Sequence, residues 1–162
     1  MKKLNWRLIV VHAIAAGLLI YASELFGYFR DVAFLRVLLQ GNEGLTLKYI
    51  KSNNWSTVDV FNYTSWVLET WVIGLILALL VSLFVARICH WWWLNSIIAI
   101  IIVYISRFTY ARILQNHSEE WFSRLYRFPF PGSVGAFATV GALCLLCSCY
   151  LFFSPKIATA IG

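Results

Sequence analysis

Three of the four cysteines of this 162-residue chain lie within six residues of one another, at Cys144, Cys147 and Cys149. Cys144 and Cys147 are separated by i,i+3, which puts both thiols on one face of a helix, while Cys149 points elsewhere. A structural zinc site needs four ligands in a tetrahedron, and three thiols on a single helix cannot supply that geometry. The chemistry open to this pair is therefore thiol redox chemistry, and we predict no metal and no cofactor.

Ionisable side chains inside apolar segments form the second group that could do chemistry, because such residues are costly in a membrane and mark functional sites. The candidates are His12, Glu69 and Arg107. Glu24, Glu69 and Arg107 fall toward the same side of the membrane, which permits a buried ion pair, and Glu69 is the first candidate for an acid or a proton relay. The alternative is structural, because long side chains near a helix end reach the water layer.

The composition indicates what surrounds these residues. The chain is 61% hydrophobic and 12% charged, whereas soluble domains are about a quarter charged. We therefore expect a multi-pass integral membrane protein. Its net charge of +6 is scattered over the ends of apolar segments and forms no stripe, so anionic lipid headgroups, and not nucleic acid, are the predicted partners of the basic residues.

Four segments reach the roughly twenty apolar residues that cross the hydrocarbon layer. They lie near 8–26, 66–85, 91–112 and 133–153. Long apolar runs favour helices over a barrel, so the predicted fold is a single all-α transmembrane domain over residues 1–162, with four helices in a compact bundle. The four-residue connection 87–90 predicts an antiparallel hairpin between the second and third spans.

Two short amphipathic helices at the membrane interface are expected in the long connections. One covers 31–39, capped by Asp31 and ended in the region of Gly41 and Gly44; the other covers 118–127. Aromatic residues near the ends of the spans, including Trp66, Trp71 and the run 90–93 (HWWW), predict an aromatic belt. The distribution of basic residues leaves the orientation open, with a preference for a cytoplasmic N-terminus.

Small residues at helical spacing predict where helices approach closely, because lipid supplies no hydrophobic drive for helix association. Ala13 and Gly17 form the stripe of the first span. The stripe of the second span is Gly74, Ala78, Ser82 and Ala86, and that of the fourth is Gly135, Ala138 and Ala142. Contacts within one bundle and contacts with another subunit, or with a second copy, both satisfy this pattern.

A pair of cysteines in the last of four apolar helices, after a long first connection, resembles the organisation of the vitamin K epoxide reductase family. In that family the buried pair exchanges electrons with a quinone and is served by another cysteine pair in the first connection. Here the resemblance covers the layout and "CLLC", because the first connection contains no cysteine. We therefore predict that Cys144 and Cys147 pack as small, polarizable residues.

These observations favour a non-enzymatic integral-membrane subunit, anchor or assembly element of a larger membrane complex. Two alternatives stay open. One is a homo-oligomeric pore or a transporter of small solutes or lipids, built by repeating the small-residue stripes around an axis. The other is a quinone-linked thiol oxidoreductase that uses Cys144 and Cys147.

Overall fold

The structure is a computed structural model that describes residues 4–40, 42–116 and 133–154, with the backbone alone over 110–116. Over these residues the regular secondary structure is all helical. The helices are α1 (Trp6–Gly27), a 3-10 turn (Tyr28–Arg30), α2 (Val32–Leu39), α3 (Glu43–Ser52), α4 (Thr57–Ile88), α5 (Leu94–Asn116) and α6 (Val134–Phe153). The predicted helix over 118–127 lies outside the described residues.

Polar side chains start the helices by accepting hydrogen bonds from the first free main-chain N–H groups. The capping residues of α1, α2, α3 and α6 are Asn5, Asp31, Asn42 and Ser133. Helix α4 begins with a capping box, in which Ser56 Oγ accepts from Asp59 N at 3.3 Å and Asp59 Oδ2 accepts from Ser56 N at 2.8 Å. This box starts α4 well before the apolar span predicted over 66–85.

Left-handed residues end two of the helices. Asn54 (φ 51°) follows α3 and His90 (φ 56°) follows α4. In each case the next N–H donates back across the turn, from Trp55 to Ile50 O at 2.9 Å and from Trp91 to Ala86 O at 2.8 Å. These are the bonds of a Schellman motif, and the second one turns the chain sharply from α4 toward α5.

Three helical segments are long and apolar enough to cross a membrane: Trp6–Arg30, Thr57–Ile88 and Val134–Phe153. They fit a multi-pass integral membrane protein. The predicted span over 91–112 corresponds to α5, and the part of α5 with described side chains, Leu94–Thr109, is also apolar.

Helix α1 is the centre of the structure and packs against α4, α5 and α6. Helix α5 runs parallel to α1, since the Asn5 N–H donates to Asn95 Oδ1 at 3.2 Å at one end and Glu24 meets Arg107 near the other. Helices α4 and α6 run antiparallel to α1. The buried core that these helices share includes Ala15, Ala16, Ile20, Ala78, Val85, Ile100 and Phe152.

Helices α2 and α3 pack on the outer end of this assembly through an aromatic cluster. The ring of Phe34 lies 4.8 Å from that of Trp55 and 4.9 Å from that of Tyr63, measured between centroids. The Tyr63 hydroxyl donates to Tyr28 O at 2.9 Å. Because Phe34 and Tyr63 are buried, their contact anchors α2 to the first turns of α4. The position of α2 at a membrane interface stays a prediction.

The prediction was wrong about Gly44, which was expected to help end the first short helix. Helix α2 already ends at Leu39, and Gly44 lies in the first turn of α3. The side chain of Asn42 accepts from Gly44 N at 2.9 Å. This cap outweighs the low helix propensity of a single glycine.

Candidate functional site

His12 forms a buried hydrogen bond with the small-residue stripe of α4. Its Nδ1 lies 2.6 Å from Ser82 Oγ, and the two residues are 2% and 0% exposed. The Ser96 hydroxyl of α5 donates to the Ser82 carbonyl at 3.1 Å. The serine and histidine are therefore interior contacts that join three helices.

Aromatic rings enclose this polar contact. The ring of Trp91 lies 5.8 Å from that of His12, and the ring of Phe152 lies 5.3 Å from it, both edge-on. On α6, the Ser148 hydroxyl donates to the Ala15 carbonyl at 2.7 Å. Polar side chains thus connect α1 to α4 and α6 at one level, where apolar surroundings strengthen each hydrogen bond.

A second polar contact, the ion pair between Glu24 and Arg107, lies about 18 Å farther along α1, estimated from 1.5 Å per residue. Arg107 Nη2 lies 2.9 Å from Glu24 Oε1 and 2.8 Å from Oε2. The Arg107 side chain is 41% exposed and that of Glu24 18%. The pair joins α1 to α5 across a gap between the helices.

Two cavities adjoin this ion pair on the side of α5, and we call the two together the α5 cleft. The first, of about 490 Å³, runs between α1 and α5 and is lined by Ala13, Gly17 and Ile102 among others. The second, of about 440 Å³, lies between α4 and α5 and is lined by Leu68 and Tyr104 among others. Both share Glu24, Trp71 and Arg107, so the ion pair stands where the two cavities meet.

Glu69, the third ionisable residue singled out from the sequence, is exposed on α4. It makes no hydrogen bond or ion pair with any residue that the structure describes. Arg107 pairs with Glu24, and the Arg30 guanidinium lies 5.2 Å from the centre of the Trp66 ring. Glu69 is thus separate from both polar contacts.

The stripe of α4 faces α1. Gly74, Ala78, Ser82 and Ala86 are all buried. A Cβ atom built on Gly74 would lie 2.9 Å from Ser23 Cβ and 3.1 Å from Ile20 Cα. The backbones of α1 and α4 therefore approach so closely that only glycine fits at this position.

The stripe of α6 has a different position. Gly135 and Ala142 are exposed and Ala138 is half-buried. The face of α6 toward α1 instead contains Phe137, Gly141, Ser148 and Phe152. Gly141 and Ser148 were not among the predicted packing residues, although small residues at i,i+7 are a recognisable signal for one helical face. Contact of the predicted stripe with another protein stays a prediction.

The cysteines of α6 are free thiols on its outer part, with Cys144 half-buried and both Cys147 and Cys149 exposed. Neither Cys144 nor Cys147 lines the α5 cleft. Among the described residues, no group of three or more His, Cys, Asp or Glu side chains could hold a metal ion. The packing role predicted for the cysteines stays a prediction.

Comparisons of the chain with protein families, with curated proteins and with solved structures find no match.

Proposed function

We propose that the protein is a non-enzymatic integral-membrane subunit, anchor or assembly element that crosses the membrane four times. Three of the crossings are the long apolar helices α1, α4 and α6. The fourth is α5. The observation that carries the assembly role is the exposed carboxylate of Glu69 on the outer surface of α4.

The position of α5 beside α1 supports a fourth crossing. Asn95 lies at the level of Asn5, and Arg107 at the level of Glu24. A parallel helix that follows α1 between these levels passes through the same layer of hydrocarbon. Arg107 is compatible with a crossing because its charge is paired with Glu24 and a long side chain toward the end of a span can reach the water layer.

The outer surface of α4 is apolar on the C-terminal side of Glu69, whereas Ser65 and Asn62 precede it on the same face. Val72, Ile73, Ile76 and Leu80 are exposed on the same helical face. A charged side chain facing hydrocarbon costs about 2.5–3.5 kcal/mol at the membrane centre and less near its edge. A polar or cationic group of another membrane protein that contacts the Glu69 carboxylate removes that cost. The exposed apolar residues on the same face of α4 supply the remaining contact area.

The two alternatives have less support. The oxidoreductase requires a quinone pocket at Cys144 and Cys147, and the α5 cleft lies elsewhere. One observation favours the homo-oligomeric pore or transporter. The α5 cleft exposes the ion pair of Glu24 and Arg107 to the surroundings of the helices. The mass of the assembly separates self-association from a complex with a different chain.

The test is the mass of the protein purified in mild detergent, measured by native mass spectrometry. We expect a complex heavier than the 18.6 kDa chain that contains a different membrane protein. Glu69→Gln removes the charge and keeps the shape, and we expect it to weaken that complex by about tenfold or more. Glu43→Gln, which neutralises an exposed carboxylate at the start of α3, is the matched control and should leave the complex intact.

Two results would contradict the proposed complex with a different chain, and a third would remove Glu69 from its interface. A wild-type protein that is monomeric at every detergent concentration has no assembly role of this kind. A mass equal to an integer multiple of 18.6 kDa supports the homo-oligomeric alternative instead. If both glutamate variants retain the complex equally, Glu69 is an exposed residue that reaches the water layer and the interface lies elsewhere.

A further inference from the structure

We infer that the α5 cleft is a binding site for one anionic phospholipid, with the lipid phosphate at Arg107 and an acyl chain in the cavity between α1 and α5. The inference rests on the membrane placement of the chain and not on its assembly with a partner. Its three supports are the unused donors of Arg107, the shape of the cavity and the open position at Gly17.

Arg107 has N–H groups that its contact with Glu24 does not use. Both of its contacts with Glu24 are made by the single nitrogen Nη2. A guanidinium carries five N–H groups, and neither Nη1 nor Nε makes a hydrogen bond with any described residue. The side chain is 41% exposed and lines both cavities. Nη1 and Nε lie on different sides of the guanidinium, so they offer a phosphate or another oxyanion single charge-assisted N–H donors beside the Glu24 contact.

The cavity between α1 and α5 suits a chain attached to such a headgroup. It extends along α1 from Glu24 to Ala13, about 16 Å at 1.5 Å per residue, and its volume of about 490 Å³ lies within the range of ligand sites, about 300–1,000 Å³. Between these ends its wall is mostly apolar, with Ile20, Ile102 and Val103 among the lining residues. A charged group at one end and an apolar groove leading away from it match an amphipathic lipid.

Gly17 keeps the groove open. A Cβ atom built there would meet no atom within 4 Å, so the glycine is not required for close packing of helices. Replacement by leucine places its Cβ in open space and its larger side chain toward the cavity. We therefore expect Gly17→Leu to block the groove and to retain the fold.

The headgroup needs a separate variant, because removing Arg107 alone leaves the Glu24 carboxylate without its partner. The double variant Glu24→Gln/Arg107→Gln replaces the ion pair by two amides that can hydrogen-bond to each other, and it removes the guanidinium together with the carboxylate, so the net charge of the cleft is unchanged. Gly135→Leu, at an exposed helical glycine on α6 that lines neither cavity, is the matched control for added side-chain volume.

The experiment is native mass spectrometry of the full chain titrated with long-chain phosphatidylglycerol. We expect the wild type and Gly135→Leu to retain one lipid per chain. Gly17→Leu and the double amide variant should each bind about tenfold more weakly, a difference of about 1.4 kcal/mol. Dihexanoyl phosphatidylglycerol, which has the same headgroup and short chains, and long-chain phosphatidylcholine, which has no net charge, should also bind more weakly than long-chain phosphatidylglycerol.

Equal lipid occupancy in all four proteins would overturn the inference, because lipid bound without regard to the cleft is part of the general shell around the protein. If the dihexanoyl lipid binds as tightly as the long-chain lipid, the groove does not bind an acyl chain. Circular dichroism melting of each variant shows whether a loss of binding comes from unfolding. These results are independent of the Glu69 measurement, which reports on assembly.

Discussion

Gly74→Leu is expected to lower the free energy of unfolding by about 3 kcal/mol or more, at or beyond the upper end of the usual cost of overpacking a core. The added side chain collides with Ser23 Cβ at 2.9 Å and with the backbone atom Ile20 Cα at 3.1 Å. A backbone atom cannot move aside as a flexible side chain can, so α1 and α4 must separate along their length. Ala78→Leu, one turn farther along the same fully buried stripe, should cost about 1–3 kcal/mol.

Gly17→Leu is the control for this prediction. It makes the same exchange in a membrane helix and carries the same gain in helix propensity, but it enters open space. Reversible unfolding in mixed detergent micelles, followed by circular dichroism, measures both variants. If Gly74→Leu unfolds at the same denaturant concentration as Gly17→Leu, the close approach of α1 and α4 is wrong.

Ser82→Ala is expected to cost about 1–3 kcal/mol, the penalty for leaving a buried polar group without its partner. The group concerned is His12 Nδ1, which lies 2.6 Å from Ser82 Oγ in a site with almost no exposure. Ser148→Ala is the matched control. It removes a buried hydroxyl that donates to the Ala15 carbonyl, which still accepts the hydrogen bond of its own helix, so its cost should be smaller, about 0.5–1.5 kcal/mol.

A double-mutant cycle separates the hydrogen bond from general packing. His12→Leu/Ser82→Ala removes both partners, and replacing both by apolar groups leaves no polar atom unsatisfied. The two single changes should therefore be non-additive by about 0.5–3 kcal/mol, with the double variant more stable than their sum implies. Additive effects would mean that His12 and Ser82 do not share a hydrogen bond in the folded protein.

Much of the helical layout follows from the sequence because membrane helices need long apolar runs. The predicted spans over 8–26 and 133–153 lie almost entirely within α1 and α6. Helix α4 is longer than its apolar run because Ser56 and Asp59 nucleate it in a polar stretch. Helix α3 was missed because Gly44 suggested a break, whereas the Asn42 side chain caps a new helix there. Local capping, and not hydropathy, decides such boundaries.

The inward face of each helix was harder to predict. A membrane helix is apolar all round, so hydrophobic periodicity does not select its buried side. On α4 the four small residues form an unbroken series that does lie against α1. On α6 two overlapping sets of small residues compete, and the set that faces α1 includes Gly141 and Ser148. The Ser148 hydroxyl reaches a carbonyl of α1, a contact that sequence spacing does not reveal.

The ion pair was predictable only as one of several combinations. Glu24, Glu69 and Arg107 were all expected near one side of the membrane, and spacing could not choose the partner of the arginine. Which glutamate pairs with Arg107 depends on how α1, α4 and α5 are rotated about their own axes. Glu24 lies on the side of α1 that faces α5, whereas Glu69 lies on the outer side of α4. The α5 cleft is likewise invisible in the sequence because it arises where two helices diverge.

The claim of four membrane crossings is tested most directly by the accessibility of single cysteines to a membrane-impermeant maleimide in intact cells. In a variant with all four native cysteines replaced by alanine, the single changes are Asn42→Cys before α3, His90→Cys between α4 and α5, and Asn116→Cys at the end of α5. Four crossings predict that positions 42 and 116 label from one side of the membrane and position 90 from the other. Labelling of positions 90 and 116 from the same side would show that α5 does not cross and would contradict the account.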